Sequence, residues 1–165
     1  MGLGFRLGPR SELTFGASGI YGTYDHDNDL EYLIFGGDAA LRLGRTNVRA
    51  EFLLRRQTFD GSNPQRFRYA LVDRFFTKQG ALLELEQPIF PGFELLARLD
   101  WMERKGNVLT GSTLAAESNI VRATLGTSID VERGFRIKLS GEYWRFVPGD
   151  PTSAISFHIG ATGAL

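Results

Sequence analysis

Ser156 and His158 stand two residues apart and are the nearest approach in this chain to a nucleophile with its general base. Such a pair could hydrolyse an ester, for example of a lipid, if the hydroxyl lay within reach of the ring. Alternate residues of a strand lie about 7 Å apart, and no nucleophile motif surrounds the serine. We therefore expect His158 to be a hydrogen-bonded residue that faces a polar interior, and the chain not to be an enzyme.

The acidic run of residues 25–29, Asp-His-Asp-Asn-Asp, places oxygen atoms at alternate positions, as a calcium-binding loop does. Such a loop needs glycine at its sixth position and glutamate at its twelfth, where this chain has Leu30 and Gly36. We predict a solvated hairpin tip and no metal site. The absence of cysteine excludes a disulfide framework and a thiolate site. The spacing of Gly2, Gly4 and Gly8 does not suit a dinucleotide either, so no cofactor is expected.

Most of the other charged residues recur at every second position of long runs. We take sixteen of them, eight basic and eight acidic, as candidates for lining an interior: Arg6, Asp38, Arg42, Arg49, Glu51, Arg55, Glu84, Glu86, Glu94, Arg98, Asp100, Arg122, Asp130, Arg136, Lys138 and Glu142. Charges so placed could set the electric field of a pore and select ions. They could also pair into a salt-bridged plug, because an unpaired charge in a narrow interior is costly. The even balance favours neither cations nor anions.

The elements that must carry these charges are strands. Residues 120–131 and 135–144 alternate apolar and polar almost without error, which is the period of a β-strand. A strand of a soluble protein has about 5–6 residues, whereas a tilted strand needs about 9–11 to cross a bilayer. The pattern predicts an all-β fold, an antiparallel up-and-down transmembrane β-barrel.

Nine runs are clear, and a tenth is uncertain. The clear runs cover residues 3–7, 13–23, 32–43, 48–57, 80–86, 93–102, 120–131, 135–144 and 155–165, with turns or loops between them, among them 88–92 and the long segment 104–118. Residues 66–76 fit a strand, but 67, 71 and 75 would also share one face of a helix. Ten strands would make residues 1–165 one complete barrel domain. Nine would indicate the carboxy-terminal part of a larger barrel, since bacterial single-chain barrels have even strand numbers.

Alternation alone does not say which face meets water, and other features favour a membrane. Aromatic residues lie near run ends on the apolar side, as interfacial girdles do: Tyr21, Phe93, Trp101, Phe135 and Tyr143. The opposite side carries both signs of charge and more arginine than lysine. Against this, the start lacks the basic and apolar regions of a signal peptide, so we expect a mature chain or part of a precursor. The sequence contains no run of 18 apolar residues, so it predicts no transmembrane helix. A zero net charge indicates no nucleic-acid partner.

Three segments together resemble the carboxy-terminal half of porins of the phosphate-selective O/P type. They are residues 50–55, Ala-Glu-Phe-Leu-Leu-Arg; 80–86, Gly-Ala-Leu-Leu-Glu-Leu-Glu; and 93–100, Phe-Glu-Leu-Leu-Ala-Arg-Leu-Asp. The similarity covers roughly residues 45–165. That family is much longer. The last strand of an outer-membrane protein usually ends in phenylalanine, whereas this chain ends in Leu165. The resemblance implies a porin-like barrel, but the balanced charges do not extend it to phosphate selectivity.

Two functions follow as expectations. The first is a narrow pore of a Gram-negative-type outer membrane that passes small polar solutes or ions. The alternative is a non-conducting structural or interaction barrel with a plugged lumen, whose loop 104–118 meets an extracellular partner. The lipid bilayer is the expected surroundings in both.

Overall fold

The fold is a single antiparallel sheet of nine strands in a computed structural model that describes residues 2–27, 29–58, 75–105, 119–132, 134–146 and 153–163. The strands are β1 (Gly2–Gly8), β2 (Ser11–Thr23), β3 (Glu31–Leu43), β4 (Thr46–Thr58), β5 (Phe75–Phe90), β6 (Phe93–Lys105), β7 (Ile120–Glu132), β8 (Phe135–Phe146) and β9 (Ser153–Gly163). Each strand pairs with the next along the chain. The predicted all-β, antiparallel, up-and-down arrangement is therefore confirmed at this level.

The sheet is open, with β1 and β9 at its two edges. Connections of two residues join β1 to β2, β3 to β4, β5 to β6 and β7 to β8, and all lie at one end, which we call the turn end. Gly44 and Gly92 take positive φ angles of 64° and 80° in two of these turns, a conformation that glycine adopts without strain. The longer connections lie at the opposite, loop end. Among the described residues, no helix has the length and hydropathy needed to cross a membrane.

The pairing register keeps the two kinds of side chain on opposite faces. Phe15 of β2 lies opposite Ala39 of β3, and Leu83 of β5 lies opposite Leu99 of β6. Side chains alternate between faces along each strand, so one apolar face and one polar face run across the whole sheet. The apolar positions carry odd numbers in every strand except β4, where they carry even numbers because of the turn before it.

Burial is inverted relative to a water-soluble domain. Among the described residues no hydrophobic side chain is buried, and the buried polar ones are Glu84, Thr124 and Ser128. On the apolar face Leu125 is 71% exposed and Phe157 is 84% exposed. The packed side of this sheet is therefore its polar side.

At one end or both, two strands extend three or more residues beyond the runs that the alternation predicts. β5 continues through residues 88–90, which we expected to form a connection, and β6 includes Arg104 and Lys105, the first of which we expected to begin the long loop. Pro88 has no N–H to donate, and it fits the strand because the register shifts between Pro88 and Phe90. Of the uncertain segment 66–76, Phe75 and Phe76 begin β5. Residues 66–74 lie outside the described part of the chain, so the choice between strand and helix there stays a prediction.

Candidate functional site on the polar face

A chain of ion pairs crosses the polar face from β4 to β8. Its six charged members alternate in sign, and His158 of β9 contacts the last of them; we call all seven the charge ladder: Arg49, Glu84, Arg98, Asp100, Arg122, Glu142 and His158. Six of them belong to the residues predicted from the sequence to share an interior. The two ends of the ladder, Arg49 and His158, are 109 positions apart in sequence. The ladder therefore forms only when the strands pair in the folded sheet.

The centre of the ladder lies on β5, β6 and β7. Arg98 donates from Nε and Nη2 to Asp100 Oδ1 at 2.9 and 2.7 Å, and its Nη1 lies 3.5 Å from Glu84 Oε2. Arg122 donates from Nε to the other oxygen of Asp100 at 3.0 Å. Asp100 is thus held between two guanidinium groups. Charge-assisted bonds of this kind are roughly twice as strong as neutral ones.

The ladder ends in a polar cluster on β8 and β9. Glu142 accepts from Trp144 Nε1 at 3.1 Å and from Ser156 Oγ at 3.3 Å, while His158 Nε2 lies 3.4 Å from the same carboxylate. His158 Nε2 also lies 3.3 Å from Ser156 Oγ. The prediction that His158 is hydrogen-bonded is confirmed. Its ring reaches Ser156 because side chains two positions apart on one face can lean together even though their backbones are about 7 Å apart.

This arrangement does not build a catalytic triad. In a triad the carboxylate holds one ring nitrogen while the other activates the hydroxyl. Here the same nitrogen of His158 faces both Glu142 and Ser156, and the carboxylate contacts the hydroxyl directly. The geometry is that of a hydrogen-bonded polar cluster.

The remaining predicted residues lie on the same face but outside the ladder. Asp130 and Arg136 pair near the turn end, Glu86 receives a 3.5 Å contact from Asn47, and Arg55 donates to Gln57 at 2.7 Å. The others form no ion pair with a described residue: Arg6, Asp38, Arg42, Glu51, Glu94 and Lys138.

A hollow of about 830 Å³ lies on the polar face toward the loop end, above the ladder. Its wall includes residues of seven consecutive strands, from Ser18 of β2 to Trp144 of β8. The side chains of Glu84, Thr124 and Ser128 on this face are buried, whereas those of the apolar face are exposed. This difference indicates that the sheet curls around its polar face. A smaller hollow of about 260 Å³ lies toward the turn end, beside Arg42 and Glu86.

Sequence reasoning missed two cations of this face, Lys78 and Arg104. Both lie beyond the ends of the runs recognised as alternating, in the parts by which β5 and β6 exceed them. The signal was weak because Thr77 and Gln79, on the other face of β5, are themselves polar. The alternation of apolar and polar residues is lost where both faces of a strand carry polar side chains.

The acidic run between β2 and β3 forms a hairpin tip, as predicted. Asp25 accepts from the backbone N–H of Leu30 at 2.8 Å and of Asp29 at 3.1 Å, and Tyr24 N–H donates to Leu30 O at 3.0 Å. Within the described residues no group of acidic or histidine side chains is arranged to hold a metal. Desolvation, which raises the pKa of Asp25, is outweighed by these backbone donors, so that its pKa lies below the usual 3.8.

The hairpin tip should titrate with a low midpoint. Because the pKa of Asp25 is lower in the folded state, its stabilising effect is present above pH 3.8 and is lost as the pH falls below that value. We expect the Leu30 amide proton shift, followed by NMR in micelles, to change with a midpoint below 3.8. Asp25→Asn should abolish the change and Asp27→Asn should retain it. A midpoint at or above 3.8 would contradict the capping role.

No family model, curated protein or solved structure matches this chain.

Proposed function

We propose that the nine strands form the wall of an outer-membrane β-barrel that encloses a narrow pore for small polar solutes or ions. The observation that carries the proposal is the inverted burial. An apolar face this extensive, on which the side chains of Leu125 and Phe157 are largely exposed, is incompatible with water as its only neighbour, because large exposed apolar patches mark contact surfaces. A lipid bilayer covers such a face without any partner protein.

Strand length supports a bilayer as the covering medium. β2, β3, β4, β6 and β7 each have 13 residues. At about 3.3 Å per residue such a strand is about 43 Å long, and a tilt of about 45° reduces its reach to about 30 Å, the thickness of a hydrocarbon core. Short turns at one end and longer connections at the other also follow the pattern of outer-membrane barrels.

The polar face supports a wet interior. The hollow of about 830 Å³ is bounded by charged side chains of both signs, including Glu51, Lys78 and Arg122. An unpaired sheet edge is not tolerated in hydrocarbon, so the curled sheet must close into a barrel in a membrane. Closure would convert this hollow into an internal space.

Conductance tests the pore. The refolded chain should give discrete single-channel currents in planar bilayers, after insertion has been verified by heat-modifiable migration on a gel. Ser18→Trp, which points a large side chain from the wall of the hollow, should lower the unit conductance at least about twofold. Ala17→Trp, on the opposite face of the same strand, should leave it unchanged. Silent bilayers with verified insertion would refute the pore.

The charge ladder favours a second candidate, a non-conducting barrel. Its ion pairs cross five strands, from β4 to β8, and such a network could fill and stiffen a small lumen. This alternative predicts insertion without current. It also predicts that Arg122→Ala, which opens the centre of the ladder, would create conductance in a chain that was silent before.

A further inference from the structure

Three cations of the polar face lie side by side in one row near the loop end. Arg55 of β4 lies opposite Lys78 of β5, and Lys78 lies opposite Arg104 of β6. Adjacent strands are about 4.8 Å apart, so the three backbone positions span only about 10 Å. We call Arg55, Lys78 and Arg104 the cation row.

On the polar face, the described residues place no carboxylate beside the cation row. Glu103 adjoins Arg104 in sequence but lies on the opposite face, where Gln79 donates to it at 3.0 Å. The next row of the same face, which contains Leu53, Gly80 and Met102, carries no charge. The nearest carboxylates on this face, Glu51 and Asp100, stand four positions further along their strands, about 13 Å of strand length away. Like charges directly opposite each other destabilise a sheet. The three uncompensated cations therefore lower the stability of the folded state.

The surroundings of the row hold the cations without supplying anions. Arg104 Cζ lies 4.8 Å from the centre of the Phe76 ring, and Lys78 Nζ lies 5.8 Å from the same centre. Arg55 donates to the neutral side chain of Gln57. Arg104 Nε is buried and has no hydrogen-bond acceptor among the described residues. The row therefore has more donors than acceptors.

The row also borders accessible space. Arg55 and Lys78 belong to the wall of the 830 Å³ hollow, and Arg55 and Lys78 are exposed. We propose that the cation row binds a small oxyanion at the loop end of the hollow. Three cationic groups on one row match an anion whose oxygen atoms accept from several donors at once.

This inference deepens the proposed function, since it names anionic solutes as those that this face attracts, and it rests on a wet polar face rather than on conduction. The ladder alone is close to charge-balanced and would not create such a preference. The preference for anions therefore arises from the cation row, of which Lys78 and Arg104 lie outside the alternating runs.

Sulfate is a suitable probe because it stays ionised over the whole working range of pH. The full chain is refolded in zwitterionic micelles at low ionic strength, and unfolding in urea is followed by tryptophan fluorescence. Millimolar sulfate should raise the urea midpoint, because a ligand that binds only the folded state stabilises it. Chloride at matched ionic strength should raise it less, which separates binding from general screening.

Variants locate the site. Lys78→Gln should lower the sulfate affinity, measured by calorimetry, at least tenfold, and in sulfate-free buffer it should raise the urea midpoint because it relieves the like-charge row. Arg104→Gln should lower the affinity similarly. The control is Arg56→Gln, which removes a cation next to Arg55 but on the opposite face, over the Phe75 ring; it should leave sulfate binding unchanged.

Three results would overturn the proposal. One is equal stabilisation by sulfate and by chloride at matched ionic strength. Another is an equal loss of binding in Lys78→Gln and Arg56→Gln. The third is stabilisation by micelles doped with an anionic lipid but not by sulfate, which would assign the row to a lipid headgroup. Binding without current would refute the pore alone, and current without binding would refute the anion site alone.

Discussion

Replacing Leu125 by arginine is expected to lower the free energy of unfolding of the bilayer-inserted chain by about 2–4 kcal/mol. Leu125 lies near the middle of β7 on the apolar face. At this depth a guanidinium group would meet hydrocarbon instead of water. If the face were bathed in water, the same change at an exposed position would stay within about 0.5 kcal/mol.

A depth control makes this test specific to a membrane. Val131 lies on the same face of the same strand but next to the turn end, and it is 53% exposed. Val131→Arg should cost only about 0–1 kcal/mol, because the penalty falls toward the interface. Both costs would be measured by guanidinium titrations in liposomes, in which unfolding is followed by the fluorescence of the two tryptophans. Equal costs at the two positions would contradict a bilayer that spans β7.

Glu84→Gln is expected to lower the free energy of unfolding by about 2–3 kcal/mol. Glu84 is the most buried charged residue of the described part of the chain, at 7% exposure, and it joins Arg49 to Arg98. Removing one member of a buried ion pair costs about 3–5 kcal/mol because its partner is left uncompensated. We expect less here, because Arg49 is half exposed and Arg98 keeps Asp100.

The matched control is Glu86→Gln, two positions further along the same face of β5. Its one polar contact with a described residue is the 3.5 Å approach of Asn47, so its loss should cost no more than about 0.5 kcal/mol. A double-mutant cycle with Arg98→Gln should give a coupling of about 1 kcal/mol or more between Glu84 and Arg98. If Glu84→Gln and Glu86→Gln had the same effect, the ladder would not contribute to stability.

The alternation in the sequence was sufficient to locate the strands and their faces. All nine clear runs correspond to strands, and all sixteen residues taken as candidates for lining an interior lie on the polar face of the sheet. A period of two requires nothing beyond the local chain, which is why this much was predictable.

The partners of those residues were not predictable in the same way, because they depend on register. The hairpin between β5 and β6 pairs Phe90 with Phe93, but a one-residue shift between Pro88 and Phe90 moves the pairing so that Glu84 meets Arg98. Without that bulge Glu84 would lie opposite Leu99, and the polar face of β5 would adjoin the apolar face of β6. A one-residue slip reverses every side chain, and nothing in the alternation itself marks where the shift occurs.

The odd number of strands among the described residues has a consequence for how copies of this sheet could meet. β1 and β9 both run from the loop end to the turn end, because eight reversals separate them. A seam between β1 and β9, within one chain or between neighbours, is therefore parallel. Two β1 edges, or two β9 edges, could pair antiparallel only if one copy stood upside down. A bilayer that admits proteins in one orientation forbids that pairing, so an antiparallel seam requires a strand from outside these nine.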